Sequence, residues 1–115
     1  MSVTIYHNPR CSKSRQTLAL LQEKGIEPEI IEYLKTPPDA DTLKKLLKLL
    51  DMQPRDLMRK KEAPYKALSL ADESLSDDDL IRAMVENPIL IERPIVVANG
   101  KAAIGRPPES VLDIL

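Results

Sequence analysis

The residues of this sequence that could do covalent chemistry lie in one short stretch near its start, residues 6–14, written YHNPRCSKS. The stretch holds the chain's single cysteine, Cys11, and its single histidine, His7. Arg10 and Lys13 lie close to the thiol, and His7 is a third possible cation. A thiol becomes a nucleophile when its pKa is lowered, and nearby cations lower it. The stretch therefore predicts a reactive thiolate.

The flanking segments predict that Cys11 lies where a strand leads into a helix. Residues 3–6 are mostly β-branched and predict a strand, which His7-Asn8-Pro9 ends. From Ser12 onward apolar residues recur at helical spacing until Gly25, a typical residue after a helix end. The N–H groups and dipole at a helix N-terminus favour a thiolate or a bound oxyanion. The alternative, a small buried core residue, fits poorly with polar neighbours on both sides.

Two known classes of cysteine chemistry are excluded by the residues that follow Cys11. A C-x-x-C redox motif is absent because its fourth position is Ser14, whose hydroxyl could instead donate to the sulfur or to an anion. Low-molecular-weight phosphatases carry an arginine six positions after the cysteine, where this chain has Thr17. A lone thiol can form a covalent adduct but cannot resolve it. We therefore expect an exposed Cys11 that is attacked by an outside thiol, from glutathione or another protein.

The rest of the chain predicts a small α/β domain. The predicted elements after the first helix are a strand at 29–33, a helical stretch at about 39–86, strands at 94–98 and 101–104, and a short last helix after Pro107. The first strand, helix and second strand imply parallel pairing with a right-handed crossover. Asn99-Gly100 predicts a two-residue hairpin turn, which adds antiparallel strands. The expected architecture is one domain over 1–115 with a mixed sheet, flanking helices and a helical insertion at about 39–86.

Length and composition limit the function classes. The chain has 115 residues, 43% hydrophobic and 30% charged, with a formal net charge of -1, so general binding to nucleic acid or anionic membranes is not expected. No apolar run approaches the roughly 20 residues that span a bilayer. The start does not resemble a signal peptide. A single cysteine and a single histidine disfavour a zinc site, so we expect no metal. A lone reduced thiol fits the cytoplasm.

Four motifs, in order along nearly the whole chain, resemble those of the glutathione/glutaredoxin-coupled arsenate reductases, the ArsC family. They are YHNPxCxxSR at 6–15, LMRK followed by ExPY at 57–65, NPILIERPIVV at 87–97, and GRPPE followed by VLDIL at 105–115. The resemblance implies a thioredoxin-like fold, with the helical insertion between βαβ and ββα halves.

The resemblance also implies a reaction centre. Cys11 corresponds to the nucleophile that attacks arsenic, and three arginines correspond to the anion-binding set: Arg59, Arg93 and Arg106. Arsenate is a tetrahedral oxyanion, and a guanidinium offers paired, charge-assisted N–H donors to its oxygens. The alternative for each arginine is a solvated surface charge or an ordinary ion pair.

Four further residues have supporting roles by the same resemblance. Pro94 corresponds to the proline that is cis and faces the cysteine in thioredoxin-like proteins. His7 and Ser14 resemble residues that tune the nucleophile, although His7 could also be a simple strand-end histidine. Arg15 belongs to the first motif and is either an anion ligand or a surface residue.

The function implied is an arsenate reductase that uses glutathione as co-substrate and glutaredoxin as partner, with no bound cofactor. Two alternatives remain open from the sequence. One is a glutathione-dependent thiol reductase of the same fold with another substrate, which retention of all three arginines disfavours. The other is a redox-linked transcription regulator, a class that typically carries C-x-x-C, so Ser14 disfavours it.

Overall fold

The computed structural model of the chain describes residues 2–115, which form two compact units. The first unit comprises the residues up to Thr36 together with Arg93–Leu115, and the second is Pro37–Glu92. The predicted insertion at about 39–86 lies within the second unit, while the assignment of 1–115 as a single domain stays a prediction. Within the described residues, no helix is both long enough and apolar enough to cross a membrane.

The first unit is an α/β structure built on a mixed sheet. Its elements are β1 (Val3–His7), α1 (Ser12–Glu23), β2 (Glu29–Glu32), β3 (Ile95–Ala98), β4 (Lys101–Ile104) and a 3₁₀ helix (Pro108–Ile114). Among residues 2–115 the sheet has four strands in the order β2-β1-β3-β4. β1 pairs with β2 in parallel and with β3 antiparallel, and β3 pairs with β4 antiparallel. The predicted α/β fold class is confirmed.

The local sequence explains these elements. Alternate residues of β1 are buried, as expected for a strand with one face on the core. Asn99 and Gly100 both have positive φ, 54° and 72°, as the predicted two-residue hairpin turn requires. The core of this unit is aliphatic and includes Val3, Ile5, Leu21, Val96 and Val111. The predicted last helix is present as a 3₁₀ helix. This geometry is common in short helical segments.

The second unit is mainly helical, as predicted. It contains α2 (Ala40–Leu50), a 3₁₀ turn (Pro54–Leu57), α3 (Ala63–Ala67), α4 (Asp77–Glu86) and a second 3₁₀ turn (Pro88–Leu90). The Asp39 carboxylate caps α2 by accepting from the Thr42 N–H at 2.8 Å. An isolated bridge between Met58 and Ile91 joins the two ends of the region that carries Arg59.

Candidate active site

A four-residue turn between β1 and α1 places Cys11 at the N-cap of α1. The Cys11 N–H donates to the Asn8 carbonyl at 3.0 Å, and the Arg10 N–H donates to the Asn8 side-chain oxygen at 3.0 Å. The Asn8 side chain therefore caps this turn, as an asparagine in such a loop is expected to do. Cys11 has extended backbone geometry, with φ -93° and ψ 124°, and it is followed directly by the first helical residue, Ser12.

The N-terminus of α1 is electrostatically suited to an anion. Its first turn contains no acidic residue, and the Cys11 side chain makes no cap hydrogen bond. Burial alone raises the pKa of the Cys11 thiol. The Ser14 N–H, the Arg93 charge, the Lys13 N–H and the Arg106 charge oppose this effect and hold the pKa below its ordinary value. The direction agrees with the predicted thiolate.

Arg93 and Arg106 approach the cysteine because of the antiparallel pairing of β3 and β4. Arg93 lies just before β3 and Arg106 just after β4, and Ile95 pairs with Ile104, so the two arginines reach the same end of the sheet. Arg106 Nη1 lies 4.0 Å from Cys11 Sγ and 3.5 Å from the Arg93 carbonyl oxygen. The sheet thus brings two of the three predicted arginines to the predicted nucleophile.

Pro94 is preceded by a cis peptide bond, as the resemblance implied. The Arg106–Pro107 bond is also cis, which the sequence did not indicate. Pro94 is buried, and its carbonyl accepts the Gly105 N–H at 2.9 Å. The residues next to Arg93 and Arg106 are thereby hydrogen-bonded to each other.

Cys11 is less exposed than its expected reaction with an outside thiol suggested. Its relative exposure is 8%, because it lies in the turn at the helix start with Arg106 close to its sulfur. Burial does not make it an apolar core residue, since the groups that face its sulfur are N–H donors and cations. An incoming thiol must reach the sulfur through the remaining opening.

His7 is not a cation beside the thiol, contrary to its inclusion among the possible cations. Its side chain is 6% exposed. Burial lowers its pKa below 6.5, the Glu32 carboxylate opposes this, and the Arg15 charge lowers the pKa further. A pKa below 6.5 leaves the imidazole mostly neutral at pH 7. Glu32, which pairs with His7 in the β1–β2 register, was not predicted, because only that register reveals its proximity.

The Ser14 hydroxyl contacts His7 and not the sulfur, while its expected donation to a bound anion stays a prediction. Ser14 Oγ lies 2.6 Å from His7 Nδ1 and accepts the Asn8 N–H at 3.0 Å. Ser14 is fully buried. Its side chain therefore ties the end of β1 to the first turn of α1, while its backbone N–H acts on Cys11.

Arg15 and Arg59 have defined partners in this structure. Arg15 Nη1 donates to the Pro9 carbonyl at 3.0 Å, so the side chain braces the turn that carries Cys11. Arg59, in the second unit, forms an ion pair with Glu62 at 2.8 Å, and its N–H donates to the Leu90 carbonyl at 2.7 Å. The Arg59–Glu62 pair was not predicted, although both residues lie in the second motif.

Known proteins are similar to this chain over nearly its whole length. The model of the ArsC family matches residues 6–114. An Escherichia coli (strain K12) protein called "Uncharacterized protein YfgD" is 68% identical over 98% of this chain and 96% of its own. An arsenate reductase of Haemophilus influenzae is 52% identical over 100% of both chains. The solved structure of an arsenate reductase from Vibrio cholerae is 59% identical, with a TM-score of 0.98 over 100% of this chain and 98% of that one.

Proposed function

Because the chain belongs to the ArsC family, we propose that it reduces arsenate to arsenite with Cys11 as the nucleophile. The observation that carries this proposal is the position of Arg106 Nη1, 4.0 Å from a thiol whose pKa is lowered. One arrangement thus supports both a thiolate and an oxyanion. Relatives named arsenate reductases, 52% and 59% identical over nearly complete chains, support the choice of substrate.

Arginine side chains bind the oxyanion in this proposal. Arg93 and Arg106 are supported by their effect on Cys11, whose pKa both charges lower. Arg59 is supported by the second family motif alone. Three guanidinium groups offer enough charge-assisted donors for the oxygens of a tetrahedral anion.

The reaction begins when the Cys11 thiolate attacks As(V) and displaces one oxygen as water or hydroxide. The glutathione thiol then displaces a second oxygen, which leaves arsenic bound to both sulfurs. A glutaredoxin thiolate attacks the glutathione sulfur, and the electron pair of the broken As–S bond reduces arsenic to As(III). Hydrolysis of the remaining bond releases arsenite and restores the Cys11 thiolate. The sum consumes two thiols and yields one mixed disulfide and one water.

The lone thiol supports this choice of co-substrates. Cys11 has no second cysteine in the chain with which to form a disulfide, so the resolving thiols must come from other molecules. We propose glutathione as a co-substrate and no bound cofactor. The cytoplasm, where glutathione keeps thiols reduced, is the compartment that this chemistry requires.

The supporting residues position the nucleophile in this proposal. The His7–Ser14 contact fixes the first turn of α1, so that the Ser14 N–H points toward the sulfur. Arg15 holds the turn from the other side through the Pro9 carbonyl. Pro94 places its carbonyl against the Gly105 N–H, next to both arginines.

The test is arsenate-dependent NADPH consumption in an assay coupled through glutathione, glutaredoxin and glutathione reductase. Turnover should require arsenate, glutaredoxin and Cys11 together, and Cys11→Ser should abolish it while the protein stays folded. Arsenate should also protect wild-type Cys11 from iodoacetamide. A folded protein whose Cys11 is alkylated rapidly, but which shows neither turnover nor protection, would favour a thiol reductase with another substrate.

A further inference from the structure

Gly105 differs from Gly25 and Gly100 in the space around it. Gly25 and Gly100 have positive φ, +75° and +72°, and open space where a Cβ would lie. Gly105 has no such φ, but a Cβ there would overlap Thr17 Oγ1 and lie 2.8 Å from Pro94 Cγ and 3.0 Å from Thr17 Cγ2. Space, and not backbone conformation, is therefore what requires glycine at this position.

Thr17 is the residue of α1 that lies closest to Gly105. Its side chain is fully buried, and its hydroxyl donates to the Lys13 carbonyl at 2.8 Å, one turn earlier. The Gly105 carbonyl lies 3.4 Å from the same hydroxyl. A hydroxyl has one hydrogen, so the shorter bond to Lys13 fixes the rotamer, and the side chain then presents an oxygen and a methyl to Gly105.

We propose that Thr17 and Gly105 are positioning residues, whose contact sets how closely Arg106 approaches Cys11. Cys11 and Thr17 lie on one rigid element, because Cys11 caps α1 and Thr17 is six residues along it. Gly105 is bonded directly to Arg106, so the separation of Gly105 from α1 controls the reach of that side chain. The catalytic importance of this reach rests on the proposed function.

The distances leave little room for movement. Typical contacts between carbon atoms are about 3.5–4.0 Å, so a Cβ at position 105 has to move the chain or its neighbours by roughly 0.5–1 Å. Arg106 Nη1 is already 4.0 Å from the sulfur, a long distance for an N–H to sulfur contact. A shift away from α1 removes that contact and weakens the support that Arg106 gives the thiolate.

The first measurement is the rate of Cys11 alkylation by iodoacetamide across a range of pH, with and without Gly105→Ala. We expect alkylation at pH 7 to be about three- to tenfold slower in the variant, with the midpoint of its pH profile moved upward, as when a charge-assisted contact is lost. In the coupled assay the KM for arsenate should rise more than kcat falls. Gly100→Ala is the matched control: it strains the β3–β4 turn through its positive φ but meets no neighbour, so alkylation should not change.

Substitutions at Thr17 test the contact from the other side. Thr17→Ala removes both Thr17 atoms that a Cβ at 105 would meet, so Thr17→Ala/Gly105→Ala should regain part of the rate lost in Gly105→Ala. Thr17→Val keeps the shape but cannot donate to Lys13, and should slow alkylation in the same direction by about two- to threefold. If Gly105→Ala does not fold, the rate of Cys11 alkylation in Thr17→Val tests the positioning role instead.

Wild-type alkylation rates in a folded Gly105→Ala or Thr17→Val variant would overturn the proposal, as would an equal loss in Gly100→Ala. Alkylation needs no arsenate, so this result is independent of the proposed function. If the wild-type protein fails to reduce arsenate while the alkylation pattern holds, the positioning role stands and only the substrate is wrong.

Discussion

The N-termini of α1 and α4 differ in their capping and in their charge. At α4, Ser76 Oγ accepts the Asp79 N–H at 3.1 Å, the Asp79 carboxylate accepts the Ser76 N–H at 3.0 Å, and the first turn is Asp77–Asp79. At α1, Cys11 makes no side-chain cap, no acidic residue follows, and Lys13 and Arg15 come next. The start of α4 is therefore capped and negatively charged. The start of α1 has no side-chain cap and is positively charged.

The difference between the two helix starts has an energetic meaning. A carboxylate near a helix N-terminus stabilises it by about 0.3–1 kcal/mol, and a cation there is unfavourable. α4 has the arrangement that favours helix stability. α1 lacks that stabilisation, and its Ser14 and Lys13 N–H groups act on the Cys11 sulfur instead, where they lower the thiol pKa. A local departure from helix-stabilising chemistry of this kind is expected where a site has a function, as proposed for Cys11.

The largest effect should come from the arginines near the sulfur. Arg106→Ala or Arg93→Ala removes a charge that stabilises the thiolate, and the pKa of Cys11 should rise. We expect alkylation by iodoacetamide at pH 7 to slow about tenfold. Arg82→Ala, at an exposed site on α4, is the matched control and should leave the rate unchanged. If both arginine variants kept the wild-type rate, the α1 terminus alone would account for the thiolate.

Removal of the α4 cap tests the opposite terminus. Ser76→Ala takes away one half of the capping box and should lower the free energy of unfolding by about 1 kcal/mol. Urea denaturation measures this loss, and Ser76→Thr should restore most of it. Cys11 alkylation should not change. A Ser76→Ala protein of unaltered stability would show that this helix start does not depend on its cap.

Local patterns were sufficient to predict the features that depend on neighbours in sequence. The start of α1 after Asn8-Pro9 and the turn at Asn99-Gly100 each depend on a few adjacent residues, and each is present as predicted. The motifs also identified Arg93 and Arg106 before the β3–β4 pairing showed why they reach the same end of the sheet.

Features that depend on contacts distant in sequence escaped prediction. The neutral state of His7 depends on its burial and on Glu32, which only the β1–β2 register brings close. The low exposure of Cys11 depends partly on Arg106, which lies 95 positions away in the sequence. The requirement for glycine at 105 depends on Thr17 and Pro94, which no local pattern connects to it.

Arg59 differs from Arg93 and Arg106 in that it forms an ion pair with a carboxylate, that of Glu62. Glu62→Gln removes the ion pair at 2.8 Å while keeping the size of the side chain. If Arg59 binds arsenate, the KM for arsenate should fall by about two- to fivefold with kcat unchanged, the range expected for a partly exposed ion pair. Asp78→Asn, which removes the more exposed pair with Lys44, is the matched control. An unchanged KM in Glu62→Gln would remove Arg59 from the anion site.

His7 gives a pH test of the strand that leads to α1. Because the chain has one histidine, its ring protons give an unambiguous NMR signal, whose midpoint should lie below 6.5. A histidine whose folded pKa is lowered contributes stability that is complete above its unfolded pKa and is lost as pH falls through the folded pKa. The free energy of unfolding should therefore decline below about pH 6.5, and less steeply in His7→Gln. A midpoint at or above 6.5 would contradict the lowering of the His7 pKa by burial.

The smallest effects come from exchanging charges at the second helical position of both helices. Lys13 and Asp78 each follow the first residue of their helix, and both are exposed. Lys13→Glu should raise the free energy of unfolding by about 0.3–1 kcal/mol, because a carboxylate replaces a cation at the positive end of α1. Asp78→Lys should lower it by a similar amount.

The two exchanges separate stability from reactivity. Lys13→Glu should slow Cys11 alkylation by about two- to threefold, because the same carboxylate that stabilises the helix disfavours the thiolate beside it. The Lys13 N–H stays in place, so the loss reflects side-chain charge alone. Asp78→Lys should leave alkylation unchanged. If Lys13→Glu destabilised the protein, the positive charge would not have the cost to helix stability inferred for it. If alkylation kept its rate, the charge would not have the inferred effect on the thiolate.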